Sequence, residues 1–124
     1  MKNEIQNLFK VGGLLAIMVA ATAFSSTSVL AAGGTSAAAE GKKIAFSRKK
    51  GNCLACHMIE DGVLPGNMGP PLVAMKSRFT KEKLRAQIWD ATVANNETAM
   101  PPFGRHKILS SAELDKVVEY IWGL

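Results

Sequence analysis

The sequence predicts a small all-α domain. Two segments carry apolar residues at helical spacing, each behind a serine or threonine that can cap a helix, and no segment of useful length alternates as a strand does. The 124 residues, 48% of them hydrophobic and 20% charged, suffice for one globular domain. This size and composition argue against a two-domain enzyme and against a disordered or coiled-coil protein.

Residues 1–32 have the features of a cleaved secretory signal peptide. An apolar run of 14 residues, 11–24, is followed by a cluster of small residues, and we expect cleavage after Ala31 or Ala32. A retained anchor would need about 20 apolar residues to span a membrane. The pattern therefore predicts a periplasmic protein whose mature form has no membrane span. Residues 33–39 are all Gly, Ala, Ser or Thr and are expected to form a flexible leader.

The folded domain is expected to occupy residues 40–124 and to begin with a short helix from Gly41 to about Lys49. Thr80 is suited to cap a second helix, Lys81 to Thr92. That helix carries its apolar residues on one face, with Trp89 beside them: Leu84, Ile88 and Ala91.

The last helix is predicted from a capping box, in which Ser110 and Glu113 satisfy each other's backbone donors. Its apolar residues follow the i, i+3, i+4, i+7 pattern to the C-terminus: Leu114, Val117, Val118 and Ile121.

Residues 53–57, Cys-Leu-Ala-Cys-His, form the C-x-x-C-H sequence of covalent c-type haem attachment. Each thiol can add across one haem vinyl group, and the two-residue spacer places both sulfurs over the same porphyrin edge. His57 follows directly, so its imidazole can bind the iron. A domain of about 85 residues often depends on a disulfide, a metal or a cofactor. One covalent haem would supply the missing core.

Three other uses of Cys53 and Cys56 compete with haem attachment. A disulfide gives no reason for the adjacent histidine. A thioredoxin-like redox motif expects a preceding strand and a βαβ pattern, and neither is visible. Structural zinc needs four ligands, and His106 is the remaining candidate for the fourth, at the wrong spacing for a zinc knuckle.

The occupant of the sixth iron position decides between ligand binding at an open site and electron transfer. Met100 is the principal candidate because the following Pro101-Pro102 restricts the loop that presents its weak thioether ligand. The alternatives are that Met100 is an ordinary buried residue, or that His106 gives a bis-histidine haem of lower potential. Met68 lies beside a turn with another role, and Met75 suits packing in a helix-like stretch.

The turn at residues 65–72, Pro-Gly-Asn-Met-Gly-Pro-Pro-Leu, is expected to orient His57. A proximal histidine is usually fixed by donating its second ring N–H to a carbonyl or carboxylate. The carbonyl of Pro70 is the predicted acceptor, because a proline-rich corner holds it rigidly. A plain surface loop is the alternative.

The terminal helices, C-x-x-C-H, Gly69-Pro70-x-Leu72 and the late methionine resemble class I cytochromes c over residues 40–124. Longer blocks are similar to the X subunit of the SoxAX cytochrome complex of sulfur oxidation: residues 51–57, 65–72, 84–91 and 100–106. The resemblance implies a class I cytochrome c-like fold, with short helices packed around one covalent haem c. It implies that Cys53 and Cys56 anchor the haem, and that His57 and Met100 bind its iron.

The resemblance also implies a function. In that family the A subunit is where thiosulfate is oxidatively joined to a cysteine of the SoxYZ carrier, a reaction of the L-cysteine S-thiosulfotransferase type. The X subunit takes the electrons and passes them to a small cytochrome c. The chain has two cysteines, and the resemblance implies that the haem uses both. The chain alone is therefore expected to have no catalytic residue.

A freely diffusing monohaem carrier of a respiratory chain is the alternative function. A permanent partner would need an apolar interface patch, for which Trp89, Phe103 and Trp122 are candidates. A group of basic residues precedes the haem motif: Lys42, Lys43, Arg48, Lys49 and Lys50. These residues could steer an acidic partner towards a diffusing carrier, and the alternative is that they form ordinary solvated surface. Nucleic-acid binding is not expected despite the net charge of +5, because the chain carries an export signal and no recognition motif.

Overall fold

The computed structural model describes residues 36–124, so the signal peptide predicted at residues 1–32 lies outside the described residues. The domain has four helices in chain order: α1 Ala37–Phe46, α2 Met75–Arg78, α3 Lys81–Trp89 and α4 Ser111–Trp122. Short 3-10 turns occur at Cys53–Ala55 and Ala91–Val93. Within residues 36–124 no strand is present, which confirms the all-α prediction.

Helix α1 begins inside the segment predicted as a flexible leader, and that prediction is wrong for residues 37–39. The Ser36 hydroxyl accepts a hydrogen bond from the Ala39 N–H at 3.2 Å, and Ala38 packs against the hydrophobic core. Alanine is the best helix former, and the Ser36 cap together with the packing of Ala38 stabilises a first helical turn in a segment whose composition resembles that of a linker. The helix also ends at Phe46 and not at Lys49, because the chain becomes extended at Ser47.

Helices α1 and α4 pack against each other and form the frame of the domain. Gly41 lies directly against the Lys116 backbone, which lets the two helices approach closely. The Phe46 and Tyr120 rings lie 6.0 Å apart with a 56° tilt, an arrangement favourable for aromatic pairs. The core runs along this contact, and the apolar face predicted for α4 is buried in it: Leu114, Val117, Val118 and Ile121.

The predicted N-terminal caps of α3 and α4 are both confirmed. Thr80 Oγ1 accepts from the Lys83 N–H at 3.3 Å. At α4, Ser110 Oγ accepts from the Glu113 N–H at 3.3 Å, and the Glu113 carboxylate accepts from the Ser110 N–H at 2.9 Å. These caps set where both helices begin.

Helix α3 ends at Trp89, three residues before the predicted end at Thr92. The Asp90 carboxylate accepts hydrogen bonds from both the N–H and the O–H of Thr92, and this local turn competes with a further helical turn. The predicted buried face is nevertheless present, with Ala91 on the following 3-10 turn: Leu84, Ile88 and Ala91. Within residues 36–124 no helix has the length and apolarity needed to cross a membrane.

Candidate haem site

A cavity of about 620 Å³ lies between the helices and the loops that carry the predicted haem residues. This volume falls in the range of sites that hold small molecules and cofactors. Much of its wall is apolar and comes from α2, α3 and α4: Met75, Leu84, Ile88, Val117 and Ile121. The charged side chains that line it are all basic: Arg48, Lys50 and Arg78. An apolar wall with basic groups suits an apolar macrocycle that carries acidic propionates.

Cys53 and Cys56 both line this cavity and are free thiols. A tight turn holds them, in which the N–H groups of Cys56 and His57 bond to the Cys53 carbonyl at 3.2 and 2.9 Å. Burial raises the pKa of the Cys53 thiol to about 11. Reactive thioredoxin-like pairs depend on a lowered thiol pKa, and the pKa of Cys53 is shifted in the opposite direction.

His57 lines the same cavity, and its Nδ1 lies 2.8 Å from the carbonyl oxygen of Pro70. This is the contact that the sequence predicted. A carbonyl can only accept, so Nδ1 carries the proton and donates it. In the neutral ring this tautomer leaves the lone pair on Nε2, which is the form that binds a metal, and the hydrogen bond fixes the ring orientation.

The proline-rich segment is attached to the haem motif along its length. Backbone N–H groups of Gly66, Gly69 and Leu72 donate to three carbonyls of the motif region at 2.8, 2.8 and 2.9 Å, namely those of Leu54, Cys56 and Met58. A Cβ on residue 69 would lie 2.4 Å from His57 Cε1, so only glycine lets the backbone approach the imidazole. This role of Gly69 was not predicted from the sequence, although its position next to Pro70 could have indicated it.

Met100 is half-buried and lines the cavity, and its N–H donates to Thr98 Oγ1 at 3.2 Å. His106, the rival ligand, is exposed and does not line the cavity. Met68 lines the cavity but is 73% exposed, and Met75 is buried in the core as predicted. The structure therefore brings Met100 to the same cavity as the cysteines and His57 and leaves His106 outside it.

The described residues give no support for the alternative that the cysteines belong to a structural zinc site. Among residues 36–124 no group of three or more His, Cys, Asp and Glu side chains is arranged to hold a metal ion. No strand precedes Cys53 in that range, as a thioredoxin-like motif would require.

The aromatic residues considered for a partner interface do not form one open patch. Phe103 is buried and lines the cavity. Trp122 is half-buried, and the ammonium groups of Lys76 and Lys81 lie 4.9 and 4.8 Å from its ring centre. Trp89 is 39% exposed, and the Arg85 guanidinium lies 5.7 Å from its ring centre.

The basic residues ahead of the haem motif are partly engaged within the domain. Lys42 pairs with Asp61 at 2.8 Å and Lys50 with Glu113 at 2.9 Å. Arg48, Lys43 and Lys49 are exposed. The positive charge available for steering a partner is therefore smaller than the sequence suggested.

Comparison with known proteins identifies the family. The family model described as "Cytochrome C oxidase, cbb3-type, subunit III" matches residues 36–121. SoxXA from P. pantotrophus, a solved crystal structure, is similar at 28% sequence identity and a TM-score of 0.60, covering 66% of this chain and 77% of that chain. No curated protein matches the sequence. The chain therefore belongs to the cytochrome c family that this model describes, and within it is a SoxX-like cytochrome.

Proposed function

We propose that this chain is the electron-accepting cytochrome c subunit of a periplasmic SoxAX-type complex. Such a complex joins thiosulfate to a carrier cysteine on SoxYZ: an S–S bond forms, the cysteine S–H bond breaks, and two electrons and one proton are released. The electrons would leave through this chain one at a time and pass to a small cytochrome c. The proposal rests on the convergence of the two cysteines, His57 and Met100 on one cavity in a chain similar to SoxXA.

Membership of a cytochrome c family implies a haem cofactor, and the site suits one covalent haem c. Cys53 and Cys56 would hold it through thioether bonds, and His57 and Met100 would bind its iron. When bound, the haem supplies a one-electron couple whose potential depends on its axial ligands and surroundings. The fit is supported by the cavity volume, the apolar wall and the basic lining groups.

The residues around the site have separate tasks in this function. The Pro70 carbonyl holds His57 in one tautomer and increases its strength as a ligand. Met100 offers a neutral thioether, which raises the potential relative to a second histidine and favours acceptance of an electron. The apolar side chains of α3 and α4 exclude water from the site and stabilise the state of lower charge.

The chain itself would act as the electron-transfer subunit of an L-cysteine S-thiosulfotransferase type of enzyme and would not carry the conjugating cysteine. Both of its thiols lie in the haem cavity. The A-type partner subunit would therefore supply the catalytic groups, and the SoxYZ carrier would bind only transiently.

The first test is the mass and spectrum of the chain after export in a host that attaches haem. We expect the mass of the cleaved polypeptide plus one haem, and a pyridine adduct typical of two thioether bonds. The purified cytochrome is then mixed with an A-type subunit, SoxYZ and thiosulfate. We expect reduction of this chain when all components are present and none when the A-type subunit is omitted. The proposal would be refuted by an exported polypeptide without haem, or by reduction of this chain when the A-type subunit is omitted.

A freely diffusing monohaem carrier of a respiratory chain is the second candidate, because the description of the matched family model names a cytochrome c oxidase and so links this type of domain to respiration. The two functions differ in whether the chain forms a lasting complex with an A-type subunit. Isolation of the tagged chain from thiosulfate-grown cells should recover it with an A-type subunit if the first proposal is right. Recovery of the monomer alone would support the diffusing carrier.

A further inference from the structure

The segment that orients His57 also carries an unusual share of the exposed apolar surface. Five of the eight large hydrophobic side chains that are exposed among residues 36–124 lie in residues 58–73. One of the five, Met68, also lines the haem cavity. We call the other four the proximal apolar surface, with exposed fractions of 51%, 81%, 92% and 47% in chain order: Met58, Val63, Leu64 and Val73.

The segment that carries most of this surface has no charged residue of its own. Residues 62–75 form a stretch of 14 residues without a single Asp, Glu, Lys or Arg. The charges near it lie at its edges: Asp61 is paired with Lys42 at 2.8 Å, Glu60 is exposed close to Met58, and the Arg78 guanidinium donates to the Pro71 carbonyl at 2.9 Å. The buried centre of a lasting protein interface is depleted in charge, whereas surfaces that steer short encounters are rich in it. The surface therefore fits a lasting protein partner whose own contact face is mostly apolar and carries little charge.

The segment is held in one conformation before any partner binds. Pro65, Pro70 and Pro71 restrict its backbone, and the three hydrogen bonds to the haem motif anchor it along its length. Leu64 has a φ of 55°, a left-handed conformation that residues with side chains rarely adopt. A backbone conformation of this kind persists only where the surrounding structure holds it in place. Such preorganisation lowers the entropy lost on association.

The surface is continuous with the haem site. The segment that carries it donates backbone hydrogen bonds to the carbonyls of Leu54, Cys56 and Met58 and offers the Pro70 carbonyl to His57. A protein seated on Val63 and Leu64 would lie beside the residues that hold the redox centre. Electron transfer slows steeply with distance, so this is a favourable place for a redox partner.

We propose that the proximal apolar surface is the contact face for the A-type cytochrome subunit. This inference rests on the proposed function and adds to it the place of contact. It assigns the proximal apolar surface to the lasting partner and not to the small cytochrome acceptor, whose contact would be transient. A second copy of this chain or a lipid surface would also meet an apolar face, and the experiment below separates these cases.

The test uses the haem-loaded chain and measures its affinity for the purified A-type subunit by calorimetry. The variant carries Val63→Glu and Leu64→Glu, which place two charges on the surface without touching the cavity lining. Val93→Glu is the matched control, because Val93 is 85% exposed and lies outside the surface. We expect the double variant to weaken binding at least about 100-fold and the control to change it less than about threefold. Haem content and absorption spectrum should be unchanged in both.

The outcomes separate this inference from the function on which it rests. Failure of the unmodified chain to bind an A-type subunit would overturn the proposed function and the inference with it. Equal weakening by both variants, or by neither, would overturn the inference alone. Light scattering of the unmodified chain, and flotation with anionic vesicles, complete the test. Dimers or vesicle binding that the double variant abolishes would assign the surface to a second copy or to lipid and overturn the inference.

Discussion

Gly104 lies directly against the indole ring of Trp89. A Cβ on residue 104 would lie 2.1 Å from Trp89 Cε3, so no larger residue fits without displacing the ring or the loop. The Trp89 carbonyl also accepts the N–H groups of Gly104 and Arg105 at 3.1 and 3.3 Å. The end of α3 therefore anchors the loop that follows Met100.

Gly104→Ala should displace this loop and weaken the coordination by Met100. We expect a loss of about 1–3 kcal/mol in the free energy of unfolding, the usual cost of overpacking, and a weaker sulfur-to-iron charge-transfer band. Denaturant unfolding and the absorption spectrum of the oxidised cytochrome measure the two effects. Gly123→Ala is the control, because Gly123 has ordinary helical dihedrals at the exposed end of α4 and should change stability by less than about 0.5 kcal/mol. Equal effects of both substitutions would contradict the anchoring role.

Met100→Ala should open the sixth position of the iron. We expect the sulfur-to-iron charge-transfer band to disappear and the affinity for added imidazole to rise at least about tenfold, because a competing ligand is removed. His106→Ala is the control, since His106 is exposed and lies outside the cavity lining. Survival of the band in Met100→Ala, or its loss in His106→Ala, would show that the distal ligand is misassigned.

Gly69→Ala should disturb the proximal side of the site. The added Cβ would lie 2.4 Å from His57 Cε1, so either the imidazole or the segment that carries the Pro70 carbonyl must move. Loss of a ligand's supporting contact commonly weakens metal binding by about 10–100-fold, and we expect more five-coordinate haem in the absorption and electron paramagnetic resonance spectra.

Gly62→Ala is the matched control for that change. Its added Cβ would meet Leu54 Cδ1 at 2.1 Å, an equally crowded contact with a flexible side chain, and no atom of His57 is among its close neighbours. We expect lower stability in this variant with an unchanged coordination spectrum. A similar coordination change in both glycine variants would mean that Gly69 acts through general packing.

Glu113 should make the stability of the domain fall in acid. Its hydrogen bond with Lys50, followed by those from the Ser110 backbone and hydroxyl, lowers the pKa of Glu113 from 4.5 to about 2. Because the folded-state pKa lies below the ordinary value, the stabilisation is fully present above pH 4.5 and is lost as the pH falls towards 2. Glu113→Gln should lower the free energy of unfolding by about 1 kcal/mol at pH 7 and flatten this acid dependence.

Unfolding curves between pH 2 and pH 7 measure the Glu113 effect. Glu97→Gln is the control, since Glu97 is an exposed carboxylate in a loop and should leave the acid dependence as it is. An acid dependence that persists in Glu113→Gln would mean that other carboxylates cause it.

Predictions from the sequence succeeded where the interactions are local. The starts of α3 and α4 are set by caps within three residues, and their buried faces follow from the spacing of apolar residues. The predicted start of α1 was wrong because Ala38 gains its helical environment from packing against distant residues. The predicted end of α3 was wrong because the Asp90 side chain forms its own turn with Thr92.

For the site, the sequence by itself determined which residues have the chemistry: two thiols and an imidazole at fixed spacing, a proline-rich corner and a methionine before two prolines. Only the tertiary structure decided that Met100 and not His106 lines the cavity, that Trp89 anchors the Met100 loop, and that most of the exposed large apolar side chains lie on the segment bonded to the haem motif. The physical reason is that capping and covalent spacing act over a few residues along the chain. Close packing and burial depend on which distant segments the folded chain brings together.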